Sequence, residues 1–148
     1  MNVLTGWRRT VTAAIEAPSF QDGLFKGKVQ PRPLDTSAPG KTFAEATACV
    51  YTPPLQTDGN PAFLRPGLVI RLWPGKTKLP RDQEPADPDT LEELLFDLQG
   101  LLKPLTTIPS IGISGLLVKS QNFRIDYDGW GVEAALIGWT QNPANRGG

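Results

Sequence analysis

Residues 123–140 read FRIDYDGWGVEAALIGWT. Phe123, Ile125 and Tyr127 alternate with Arg124 and Asp126, a period of two that puts the apolar side chains on one face of a strand. Asp128-Gly129-Trp130-Gly131 follows, a turn whose glycines can take positive φ. Residues 132–140 (VEAALIGWT) then return as a closing strand. The stretch is therefore an antiparallel hairpin, and residues 113–119 ahead of it form another short strand-like run. Residues 141–148 are a polar tail, expected to be disordered when the protein is alone.

Upstream of this sheet, residues 88–103 predict a helix. Asp87 is a good N-cap, Pro88 suits the first helical position, and Asp89, Glu92 and Glu93 favour the positive end of the dipole. Leu91, Leu94, Leu95, Leu98, Leu101 and Leu102 fall on one stripe, and Lys103 and Pro104 close the helix. Residues 67–73 (GLVIRLW) are dense in branched and aromatic side chains and read as a strand stopped by Pro74-Gly75. Residues 42–52 also alternate. Ala44, Ala46, Ala48 and Val50 make one row, and Phe43, Glu45, Thr47, Cys49 and Tyr51 the other. Residues 24–34 suggest an extended edge segment, since Pro31 and Pro33 cannot donate to a sheet ladder. Trp7, Val11, Ala14 and Ile15 place a short amphipathic helix over 2–17, ended by Pro18. The order predicts an α+β fold: a mostly antiparallel sheet packed on one face by two helices. Residues 1–140 form one domain and 141–148 the tail.

Two long proline-rich loops are expected at 53–66 and 74–88. Glycine and proline, 15 of each in 148 residues, make up about a fifth of the chain against a usual ~12%. Unstructured loops beyond about 12–15 residues are uncommon in compact domains and are usually functional or disordered. A chain of this length buries roughly 68–70% of its unfolded surface, enough for a core without disulfides or metal.

Fifteen basic and fifteen acidic residues give zero formal charge, without the basic excess of a nucleic-acid binder. No segment approaches the roughly 20 apolar residues that span a bilayer, so no membrane partner is expected. The N-terminal stretch reads as an amphipathic helix rather than a secretory leader.

Candidate chemistry is sparse. There is no histidine and one cysteine, so neither a Ser-His-Asp nor a Cys-His arrangement can be built from this chain. Cys49, mid-strand among alanines, reads as a buried inert thiol. Asp126 with Asp128, and Asp82, Glu84, Asp87 and Asp89, offer carboxylates, but a solvated strand face, a turn, a loop and a helix cap account for them. PGKTK at 74–78 lacks the spacing and following helix of a phosphate loop. No catalytic residue, cofactor or metal is expected. Candidate assembly contacts are Trp130 at the hairpin tip, Lys26 and Lys28 in the first extended segment, and Lys76, Lys78 and Arg81 in the second long loop. Trp is enriched in binding hot spots; packing of Trp130 on its own turn, and scattered solvated lysines, are the alternatives. Trp139 reads most simply as core or half-buried.

The order of elements, with DTLEELLFDLQGLL and the closing FRIDYDGWGVEAALIGWT, resembles that of bacteriophage tail-terminator proteins. The resemblance implies a non-enzymatic virion protein of the tail or neck, made in the host cytoplasm. It implies a homohexameric ring that caps the tail tube, joins it to neck or head-completion proteins, and lets DNA pass through its lumen without sequence-specific binding. Another neck, connector or tail-tube subunit, or a small ligand-binding domain, remains open on the same residues.

Overall fold

The computed structural model of the protein describes residues 3–35, 45–57, 59, 62–75, 87–106, 116–125 and 130–141. Helix α1 spans Val3–Ile15. Trp7, Val11 and Ile15 recur every four residues along it and are buried, as the spacing predicts. The Glu16 N–H still reaches the Thr12 carbonyl at 3.0 Å, and Pro18 lies just beyond the helix end.

The extended segment expected over 24–34 is corrected. Only Val29–Gln30 is a strand (β1); the residues before it form a chain of tight turns. Gln21, Asp22 and Gly23 all take left-handed backbone, at φ 51°, 53° and 77°. The Gly23 and Leu24 amides close the turn on the Phe20 and Gln21 carbonyls, each at 3.0 Å. The Gln21 side-chain amide donates to the Asp97 carboxylate, which fastens the turn to the second helix. Phe20 stacks on Phe25 at 6.1 Å between centroids, and both are buried.

The remaining strands are β2 (Thr47–Tyr51), β3 (Gln56–Thr57), β4 (Phe63–Arg65), β5 (Gly67–Trp73), β6 (Leu117–Ile125) and β7 (Val132–Gln141). Among the described residues they form one seven-stranded sheet in the order β1-β2-β5-β7-β4-β3, with β6 on the other side of β7. Every pairing is antiparallel except β1 with β2. The fold is α+β.

Several boundaries differ from those expected: among the described residues the strand expected at 42–52 is Thr47–Tyr51, and Gln141, expected in the tail, ends β7. The loop expected at 53–66 contains β3 and β4; β4 and β5 run along the same side of β7, interrupted at Pro66. Proline has no N–H for a ladder, but the Pro66 carbonyl accepts from Gly138 N–H at 2.8 Å. The two short runs expected at 113–119 and 123–127 are one strand, β6, joined through a register shift between Val118 and Ser120. Such a bulge inserts an extra residue without ending the strand. Residues 42–44, 76–86, 113–115, 126–129 and 142–148 lie outside the described residues, and with them the tail beyond Gln141 and most of the second loop.

Helix α2 spans Pro88–Leu102. The Asp87 side chain accepts from Asp89 N–H at 3.4 Å, serving as the expected cap. Leu91, Leu94, Leu98 and Leu102 are buried, while Leu95 and Leu101 pack at the margin. Both helices lie on one face of the sheet and share a core with Ala48, Val50, Leu68, Ile70, Leu72, Val132, Ala134 and Leu136. Fully burying a leucine is worth about 1.5–3 kcal/mol, so the four buried leucines of α2 dominate its attachment.

Candidate functional site

The same period of two that sends Ala48 and Val50 to the helices sends Cys49 and Tyr51 to the opposite face. A second cluster forms there from Cys49, Trp73 and Trp130, with Leu34 and Tyr51 packed against it; among the described residues none of it comes from a helix. Gly131 makes this packing possible. A Cβ there would lie 2.4 Å from the Leu72 carbonyl oxygen and 2.5 Å from Trp73 Cδ1.

A polar row crosses the middle of this face. Cys49 of β2 pairs with Arg71 of β5, Arg71 with Glu133 of β7, and Glu133 with Arg124 of β6. One carboxylate oxygen, Glu133 Oε2, accepts from Arg71 Nε at 3.2 Å and from Arg124 Nη2 at 2.9 Å. Glu133 is 14% exposed between arginines that are 31% and 41% exposed. Opposite charges on neighbouring strands stabilise a sheet by roughly 0.2–1 kcal/mol per pair. Their position here follows from strand register, which the sequence does not display; alternation alone places Arg124 on a polar face but does not name its partner.

Beyond this row the face turns apolar. Tyr51, Val69, Ala135 and Ile137 are half-buried. Phe63 stacks on Trp139 at 5.3 Å between centroids, and Leu117, paired with Trp139, is 48% exposed. Trp139 is half-buried, one of the two outcomes expected for it.

The thiol of Cys49 is fully buried, and burial pushes it up to about 11, against smaller opposing effects from the Leu34 backbone and the Arg71 guanidinium. A thiol so protonated is a poor nucleophile. Burial raises the Tyr51 phenol as well. Among the described residues no group of three or more carboxylates and thiols is placed to hold a metal ion.

The candidate contacts separate in the structure. Trp130 is not an exposed tip: it is 9% exposed, because the chain entering β7 folds it against Trp73 and Cys49. Lys26 and Lys28 are exposed in the turn before β1. Lys76, Lys78 and Arg81 lie outside the described residues, as do Asp82, Glu84, Asp126 and Asp128. Asp87 and Asp89 form the start of α2. No protein-family model matches the chain, and no curated protein matches it.

Proposed function

We propose that the chain is a structural subunit of a bacteriophage tail, resembling the tail terminators, that acts by packing against copies of itself and against tail-tube and neck proteins. It closes into a ring of six copies that caps the tube and leaves a lumen for DNA. It carries out no reaction of its own.

The observation that supports this reading is the second face of the sheet. The helices cover one face. The other combines a half-buried apolar band, from Tyr51 and Val69 to Ile137 and Trp139, with an inert thiol and a charge row already matched within the chain. Such a surface offers contact area rather than reactive groups, and contiguous apolar area on a small domain commonly marks an interaction site.

Mass in solution by light scattering, together with negative-stain images, tests the proposal. Discrete rings of six are the expected result. Extended tubes would assign the chain to the tube itself, and a clean monomer at high concentration that adds to no tail would overturn the structural reading.

A further inference from the structure

We propose that the outer face of α2, centred on Phe96, docks a second copy of this chain, which meets it with the basic surface of its N-terminal third. The inference rests on the assembly reading above and says which surfaces meet.

Phe96 is 76% exposed, more than Leu55 or Leu117 among the large apolar side chains described. It stands on the side of α2 turned away from the four buried leucines. One turn before and after it on the helix lie Glu92, Glu93, Gln99 and Gly100, all exposed. Residues three and four apart are neighbours on a helix surface, so Phe96 has an acidic rim on its N-terminal side. On its C-terminal side is a glycine, beside which an added Cβ would meet nothing within 4 Å. An aromatic ring next to an open step, ringed by polar residues, has the form of an interface anchor.

Charge identifies the occupant. Residues 87–102 hold Asp87, Asp89, Glu92 and Glu93, all exposed, besides Asp97, whose carboxylate takes the Gln21 amide; the one basic residue at the helix is Lys103, at its far end. Residues 3–34 hold five basic residues against Glu16 and Asp22, and Arg9, Lys26, Lys28 and Arg32 are exposed. The acidic side chains of α2 and these exposed basic side chains carry opposite charge, which suits a contact between copies. A contact of one patch with a different patch is heterologous, and repeated by rotation it closes a ring. Complementary charge sets partner choice and register, while the aromatic anchor supplies affinity.

The test uses the full chain and reads its mass against concentration by sedimentation. Phe96→Ser should weaken association by about tenfold or more. Glu92→Lys with Glu93→Lys should weaken it, as should Lys26→Glu with Lys28→Glu. All four reversals in one chain should restore it, because the contact then pairs the same charges the other way round. These side chains are exposed, and circular dichroism confirms that each variant is folded. Assembly of every variant at the parent's concentration would overturn this docking surface while leaving the ring reading intact. Failure of the fourfold variant to recover would overturn the charge pairing. A parent that is monomeric throughout would overturn the assembly reading itself.

Discussion

Replacing Gly131 by alanine should cost stability, and the same replacement at Gly100 should add it. At Gly131 the new Cβ would sit 2.4 Å from the Leu72 carbonyl oxygen, 2.5 Å from Trp73 Cδ1 and 3.0 Å from its Cγ. Relaxed carbon contacts lie near 3.5–4.0 Å, so the overlap is roughly 1 Å on two sides. Neither neighbour yields easily. Leu72 is held in register opposite Val132, and Trp73 is buried against Cys49 and Trp130. Forcing extra volume into such a site costs about 1–3 kcal/mol. At Gly100, on the exposed side of α2, nothing stands within 4 Å of the new Cβ, and alanine in a helix is favoured over glycine by roughly 0.5–1 kcal/mol. With a urea slope of about 2 kcal/mol/M, the first variant should lower the unfolding midpoint by roughly 0.5–1.5 M. The second should raise it by about 0.3–0.5 M. Tryptophan fluorescence reports the transition, since Trp7, Trp73 and Trp130 are all buried. A Gly131→Ala midpoint at or above the parent's, with unchanged slope, would refute the packing of Trp73 and Trp130 described above.

Burial raises Cys49 from 9.0 to about 11, so the unfolded chain gives up its proton first as pH climbs. The stability this thiol contributes is complete below pH 9 and lost between pH 9 and 11, with a slope of up to about 1.4 kcal/mol per pH unit. Urea midpoints in that window should fall, and Cys49→Ala should make the fall shallower without abolishing it, since the Tyr51 phenol is shifted the same way. Asp22→Gly should stabilise the protein by up to about 1 kcal/mol, because left-handed backbone costs an L-residue roughly 1–2 kcal/mol and glycine returns part of that gain as entropy; calorimetry should show a melting point higher by a few degrees at most. Glu133→Ala removes the shared acceptor of Arg71 and Arg124 and should cost roughly 0.5–2 kcal/mol, discounted for the exposure of both arginines. Raising salt should narrow the gap between parent and variant in chemical unfolding.

How much of this was legible depended on how local each signal is. The α2 helix could be read because its cap, its proline and its leucine spacing lie within one stretch, and they decide the same question. The two rows of β2 were legible too: Ala48 and Val50 do face the helices, and Cys49 and Tyr51 the other side. The sequence splits β6 because Ser120, Gln121 and Asn122 are exposed on a sheet edge, where no apolar alternation is needed to hold them. The extent of β1 is hidden from the sequence because its partner is a parallel strand further along the chain, while Gly23 and Gly27, both at positive φ, turn the chain just ahead of it. The residues around Trp130 leave a hairpin-tip anchor and packing on its own turn both open, because its partners, Trp73 and Cys49, come from other strands. The same distance hid the Arg71–Glu133–Arg124 row. Pairing register decides all of these, and register is a property of the folded sheet.

The assembly reading also changes how any stability measurement on this protein must behave, and that gives a test needing no variant. A contact made by folded copies and not by the unfolded chain stabilises the folded state by mass action. Once concentration exceeds the dissociation constant, each tenfold increase adds up to about 1.4 kcal/mol. The urea midpoint of the parent should therefore rise with protein concentration and level off to a constant value at high dilution. The shifts argued for Gly131, Cys49 and Asp22 act within one chain, so they should persist at dilution. Phe96→Ser should do the reverse, leaving the dilute midpoint nearly unchanged, because Phe96 is exposed in the single chain, and moving the rise to at least tenfold higher concentration. Salt should act in the same direction on the charged rim, since exposed charges are screened beyond about 8–10 Å at physiological ionic strength. A midpoint independent of concentration over several decades, at protein levels where rings are sought, would mean that the outer face of α2 and the second sheet face meet no other copy in solution.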